Sequence, residues 1–209
     1  MVRMVASVAV FVAIFALAGM WYVGRDDSDG DQFAQCRASQ VAGGAGAIGG
    51  PFELVDDDGK TVTEKEVLTE PSLIYFGYTY CPDVCPLDAT RNAEAVELLE
   101  ANGEVVTPVF ITIDPARDTP EVMKEYTDYL HPRMIGLSGS DEQVKKASQA
   151  YRTYYKKQAA EDGDDEFYLV DHSTFTYLTL PGHGFVEYFR RDVSAEDMAQ
   201  RVGCFVDNL

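Results

Sequence analysis

Two cysteines stand four positions apart in Tyr78-Thr79-Tyr80-Cys81-Pro82-Asp83-Val84-Cys85-Pro86. Thiols at that spacing form a disulfide, act as a redox pair, or bind one soft metal ion. A proline follows each, and its ring disfavours helical backbone for the residue before it, so the segment is expected to be a tight loop. A loop can bring both sulfurs to one ion. A third soft ligand would have to come from elsewhere, and the chain has three histidines. His131 follows the end of an expected helix and His183 lies in an expected turn, so both are read as exposed loop residues. His172 differs, because it stands between two apolar, strand-like segments in Val170-Asp171-His172-Ser173-Thr174. From spacing alone it serves equally well as a structural histidine or as a ligand.

The elements around these residues determine where they sit. Phe52 to Val55 and Thr61 to Thr63 flank the turn-rich Asp56-Asp57-Asp58-Gly59-Lys60, which predicts a hairpin. Those aspartates lack the spacing and closing Glu of a calcium loop. Leu73 to Phe76 is continuously apolar, as in a strand buried on both faces, and leads directly into the cysteine loop. Pro86 suits the first turn of a helix running to about Leu99, so Cys85 is expected at a helix N-terminus, where peptide dipoles and free amides favour a thiolate. Val109 to Ile113 predicts a second buried strand. Thr119-Pro120 caps and opens a further helix, Met134 to Leu137 is strand-like, and Ser140 with Gln143 forms a capping box for a helix through about Tyr151. Phe167 to Val170, Phe175 to Leu178 and Phe185 to Phe189 read as strands, with a turn at Pro181 to Gly184 and a last helix capped by Ser194. Strands with crossover helices, then a hairpin and a closing helix, predict an α/β class domain of thioredoxin-like fold with a mixed central sheet flanked by helices.

Before that domain, residues 4–23 are apolar apart from Ser7, long enough to span a hydrocarbon core, and lie between Arg3 and Arg25. Ala16-Leu17-Ala18 resembles a signal-peptide cleavage site. Gly19 to Val23 stays apolar beyond it and supplies an interfacial Trp21/Tyr22 pair, which favours one N-terminal transmembrane helix. The expected organisation is a membrane anchor over 1–24, a flexible linker over 25–50 and a folded domain over 51–209. Either reading exports the domain into an oxidising space, where the leftover thiols Cys36 and Cys204 most simply pair as a disulfide. The 209 residues are 46 % apolar and 25 % charged, with a formal net charge of -18, so no basic face for nucleic acid is evident. In Asp114-Pro115-Ala116-Arg117-Asp118-Thr119-Pro120 the default reading is structural: Asp118 helps to cap a helix and Arg117 pairs with a carboxylate. Glu161 to Glu166 reads as a solvated acidic loop.

Three motifs in order, Gly77 to Pro86, Asp114 to Pro120 and Tyr168 to Phe175, make residues 51 to 206 resemble the Sco/SenC family of membrane-tethered copper-binding proteins. The resemblance implies that Cys81, Cys85 and His172 bind one copper ion, as Cu(I) and also as Cu(II), with no catalytic residues and no other cofactor. It marks Asp83 and Asp171 as supporting or docking residues. Tyr80 stands where many members carry a histidine, which puts an auxiliary ligand role there in doubt. The implied work is that of a metallochaperone assisting assembly of the binuclear copper site in subunit II of cytochrome c oxidase, from a bacterial inner membrane with the soluble domain in the periplasm. The alternative within the family is a thiol-disulfide oxidoreductase that reduces the acceptor's copper-site cysteines. Further candidate partners are a second periplasmic copper chaperone and a thioredoxin-like reductant.

Other classes fit less well. A thioredoxin-type oxidoreductase has two residues between its cysteines, against three here, and needs no partner like His172. A peroxiredoxin-type peroxidase would carry a threonine where Tyr78 stands. Two cysteines, one histidine and a water would also make a catalytic zinc site, but no motif places a general base beside it. A closed, purely structural Cys81/Cys85 disulfide is the remaining alternative.

Overall fold

The computed structural model describes residue 15 and residues 31–39, 44–159 and 168–209. The apolar stretch 4–23, apart from Phe15, and the acidic loop 161–166 lie outside the described residues, as do the first residues of the expected linker. Among the described residues no helix is long and apolar enough to cross a membrane. The chain divides into residues 1–35 and a compact unit, Cys36–Leu209. Of the first, the described residues form a turn in which the Ala34 amide donates to the Asp31 carbonyl at 3.0 Å.

Nine strands and five α-helices are described in the compact unit. β1 (Glu53–Asp56) and β2 (Thr61–Thr63) form the expected hairpin, antiparallel with Leu54 opposite Val62. A single turn, α1 (Glu64–Val67), follows, opened by a Thr63/Glu66 capping box. β3 (Ser72–Gly77) is buried along its whole length, as its unbroken apolar run requires of a central strand. α2 (Val84–Ala101) comes next, then β4 (Thr107–Thr112) and α3 (Pro120–Leu130), whose cap Thr119 accepts from the Val122 amide. β5 (Ile135–Ser138) leads to α4 (Asp141–Ala150), with Ser140 and Gln143 bonded reciprocally as a capping box. β6 (Tyr155–Lys157), β7 (Val170–His172), β8 (Thr176–Leu180), β9 (Gly184–Phe189) and α5 (Ala195–Val206), capped by Ser194, complete the order.

The main sheet runs β2-β1-β5-β4-β3-β8-β9. β3, β4 and β5 are mutually parallel and the outer strands antiparallel. Crossovers through α2 and α3 put the C-terminal ends of β3 and β4 side by side, with Gly77 opposite Thr112. In such sheets the loops at those ends are where ligands bind. α2 packs against α5, α3 against β5 and α4 against β1. Tyr75, Phe76, Phe110, Ile111, Met123 and Phe205 are among the largest fully buried side chains.

Two expectations change. Of the strand expected over Phe167 to Val170, Phe167 lies outside the described residues, and the strand present is β7, Val170–His172, in a separate two-stranded sheet with β6. β6 carries no apolar alternation, so nothing marked it; its pairing seats Tyr155 opposite His172. α2 starts at Val84 and carries Pro86 in its first turn, as expected, where a proline lacks only an amide that the helix does not use. His131 is buried rather than exposed, only 3 % accessible, with Nδ1 accepting from the Arg133 amide at 3.1 Å and Nε2 3.6 Å from Glu100. His183 is exposed as expected.

Cys36 and Cys204 are joined as a disulfide, Cα to Cα 5.7 Å, across 168 positions of sequence. Beside it Glu187, 1 % exposed, accepts from the Ala38 amide at 2.9 Å, from the Ser39 hydroxyl and from Arg201 at 3.0 Å. Residues 36–39, within the stretch expected as linker, are thus held to β9 and α5.

Candidate metal centre

Three segments meet at the ends of β3 and β4: the cysteine loop after β3, the Asp114–Asp118 loop after β4, and β7. Cys81, Cys85 and His172 each present a ligand atom there, all within 4.8 Å of one another. Atoms bound to one ion at about 2.3 Å lie up to about 4.6 Å apart, so little closure is needed. Cys85 is fully buried, Cys81 8 % exposed and His172 half-buried. Both sulfurs are thus buried, and the more open side of the centre is that of the half-buried imidazole.

Each ligand is positioned by its own local structure. Asp83 occupies the cap position of α2 without a side-chain cap bond; instead the sulfur of Cys81 accepts the Cys85 amide at 3.4 Å. A thiolate suits that place, because helix-start amides lack intrahelical partners. Burial alone would raise the Cys81 thiol, but the amides of Asp83, Cys85 and Val84 and the Cys85 thiol together hold it below the usual cysteine range. Cys85 goes the other way: deep burial pushes its thiol well up, and the neighbouring Cys81 adds to the shift. The two thiols therefore differ in kind, one ready to ionise and one held protonated.

Cys85 needs Gly77. A Cβ at that position would stand 2.7 Å from the Tyr75 ring, 2.9 Å from Phe110 and 3.0 Å from the Cys85 sulfur, so a larger residue would displace the thiol. Tyr75 donates to the buried Asp88 at 3.1 Å, and Asp88 is paired with Arg91 and Arg191. His172 has Nδ1 2.8 Å from the Ser173 carbonyl, an acceptor only, so Nδ1 carries the proton. Nε2 is then left with its lone pair toward the centre, 3.3 Å from the Cys85 sulfur. Burial lowers the His172 pKa, which favours the neutral, ligating form. The rings of Tyr75 and Tyr78 meet the imidazole edge-on at 6.3 and 5.9 Å.

Spacing alone groups the two cysteines and leaves the role of His172 open; the structure brings all three together. Tyr75, Gly77 and Asp88 carry no local pattern that marks them, and their part is visible only in the fold. Asp171 is exposed and accepts from Gln158 at 2.7 Å. Asp118 is not the cap of α3, a place Thr119 takes; its carboxylate accepts from the Thr79 amide and hydroxyl and from Thr112, at 3.1, 2.6 and 2.6 Å. Arg117 pairs with a carboxylate as expected, that of Asp114.

A mixed sheet with a helix N-terminus bearing two thiols, faced by one imidazole, defines a thioredoxin-like protein with a soft-metal donor set. The family model for SCO1/SenC matches residues 40–207, and the chain belongs to that family. It is 50 % identical to protein SenC of Rhodobacter capsulatus over 98 % of this chain and 89 % of that one. Among solved structures, Arabidopsis thaliana ScoI with copper bound superposes with a TM-score of 0.71 at 43 % identity, covering 76 % of this chain and 98 % of that one. Yeast Sco1 with copper bound gives a TM-score of 0.72 at 38 % identity, covering 78 % and 90 %.

Proposed function

We propose that the protein is a copper chaperone in which Cys81, Cys85 and His172 hold one copper ion as cargo, for assembly of cytochrome c oxidase. The observation that carries this reading is the convergence of two sulfurs and a neutral imidazole nitrogen within 4.8 Å. That donor set is soft enough for Cu(I), and the similar ScoI and Sco1 proteins have been solved with copper bound. The acceptor in this reading is the binuclear copper site of subunit II. Transfer is ligand exchange: an acceptor thiolate enters from the open side, takes the place of one ligand of this chain, and the remaining bonds follow. Residues 4–23 anchor the chain in a bacterial inner membrane and the domain works in the periplasm.

A second reading is favoured by the asymmetry of the two thiols. Ionised Cys81 attacks an acceptor disulfide, forms a mixed disulfide and releases one acceptor thiolate. Cys85 then loses its proton and attacks the Cys81 sulfur, which releases the second acceptor thiol. The acceptor gains two electrons, and the chain is left with a Cys81-Cys85 disulfide.

Anaerobic Cu(I) titration of the full chain against a competing chelator, with Cys81→Ser, Cys85→Ser and His172→Ala alongside, tests the first reading. One tight site is expected, weakened in each cysteine variant by more than the roughly 10–100-fold that losing a supporting residue costs, and weakened less in His172→Ala. Tight binding that survives Cys85→Ser defeats it. Reduction of a disulfide substrate without copper promotes the second reading.

A further inference from the structure

The Asp114–Asp118 loop supplies no ligand in the proposed centre, yet it bonds to the segments on both sides of it. The Arg117 guanidinium lies over the Tyr168 ring at 3.6 Å and over the Tyr80 ring at 4.8 Å. Its Nε is paired with Asp114, and the Tyr168 hydroxyl donates to the other oxygen of that carboxylate at 2.6 Å. Arg117, Asp114 and Tyr168 thus close a ring of contacts. Tyr80 immediately precedes Cys81; Tyr168 lies just before β7, which ends on His172. From the far side Lys157 of β6 stands 3.5 Å from the Tyr168 ring centre. Among the described residues the buried Nη2 of Arg117 has no hydrogen-bond partner, and aromatic faces surround the guanidinium instead.

We propose that Arg117 is a positioning residue for the metal centre: wedged between Tyr80, Tyr168 and Asp114, it holds the cysteine loop and the His172 strand at the separation one ion requires. The inference rests on the metal-centre reading and adds a residue to it. Among the described residues two contacts join these segments directly, the Val170 amide donating to the Tyr78 hydroxyl at 3.2 Å and the Cys85 sulfur lying 3.3 Å from His172 Nε2, and neither involves Tyr80 or Cys81. Arginine suits the task better than lysine, because its planar, delocalised cation stacks on two rings while one edge stays bonded to a carboxylate. Asp118 completes the brace by holding Thr79, so the adjacent residues Arg117 and Asp118 of one loop hold the adjacent residues Tyr80 and Thr79 of the other.

The test combines a metal-free and a metal-loaded measurement on the full chain. Arg117→Lys keeps the charge and loses the stacking plane; Tyr168→Leu removes the ring from the other side and serves if the first variant folds poorly. Arg133→Lys, which disturbs the ion pair with Glu100 near the far end of α2, controls for general loosening. In metal-free protein, amide hydrogen exchange over 78–83 and 168–172 is expected to rise together in both test variants and not in the control. In loaded protein, Cu(I) retention against a chelator is expected to fall about tenfold, and the sulfur-to-Cu(II) absorption band to shift. Wild-type retention and an unshifted band in both test variants overturn the proposal, as does equal loosening by Arg133→Lys. If wild-type protein takes up no copper, the metal-centre reading itself fails; the exchange measurement then decides positioning alone, joint loosening supporting it and independent behaviour of the two segments overturning it.

Discussion

Cys36 and Cys204 lie 168 positions apart and are bonded to each other, whereas Cys81 and Cys85 lie four apart, both buried, and are free. Sequence separation is therefore a poor guide to pairing in this chain; the groups around each sulfur differ far more. Near Cys36 and Cys204 the neighbours are structural: an Asn208 side chain that donates to the Cys204 carbonyl, and Glu187 binding the backbone of residues 38 and 39. Around Cys81 and Cys85 they are chemical: helix-start amides for one sulfur, an imidazole lone pair for the other. One pair closes a loop of 168 positions. The other has a third donor in reach and two thiols of unequal acidity, which suits sulfur that must bind and release.

Removing the bonded pair should produce the largest effect on stability and none on the metal centre. Cys36→Ser with Cys204→Ser reopens a very long loop in the unfolded chain, with an expected cost of about 2–5 kcal/mol. For a domain of this size that corresponds to a melting temperature lower by roughly 5–20 °C, readable by calorimetry. Cu(I) affinity should stay at the wild-type value; a parallel fall in affinity would show that the two pairs are not independent. A smaller loss at the same end is expected from Glu187→Gln, which leaves Arg201 and the 38–39 backbone with a neutral partner. Charged, buried hydrogen bonds of this kind are worth about 1–3 kcal/mol, and denaturant unfolding of the variant measures it. If Glu187→Gln costs nothing once the disulfide is intact, the covalent bond alone holds this end.

Much of the frame was legible because its signals are local. Thr119-Pro120, Ser140 with Gln143, and Ser194 cap helices where expected, since a cap needs only a side chain and amides two or three residues away. The apolar runs became β3 and β4 at the centre of the sheet for the same reason. What stayed hidden depends on distant partners. β6 is short and polar, and only its pairing with β7 makes it a strand. His131 is buried because Glu100 and the Arg133 amide, the former 31 positions away, meet its ring. At the site, spacing exposed Cys81 and Cys85, whereas His172 gained its place through the three-motif resemblance, and Arg117 could be seen to face Tyr168 only once the fold had closed 51 positions of chain between them.

The unequal thiols sharpen the comparison through pH. Burial holds Cys85 protonated at neutral pH, so a metal that takes its sulfur must displace that proton. Affinity for Cu(I) should then rise with pH, by about tenfold per unit (about 1.4 kcal/mol) for one proton released, throughout the range below the thiol's raised pKa. Cys81, held below the usual cysteine range, adds a further dependence only on the acid side of its own titration. His172, lowered by burial, is already neutral near pH 7 and begins to compete with protons only in more acid solution. Chelator competition at pH 6, 7 and 8 should therefore give a slope of at least one proton per ion in the wild type, and a shallower slope in Cys85→Ser. A wild-type affinity that is flat over those two units would mean that Cys85 keeps its proton and is not a ligand, leaving Cys81 and His172 to hold the ion by themselves.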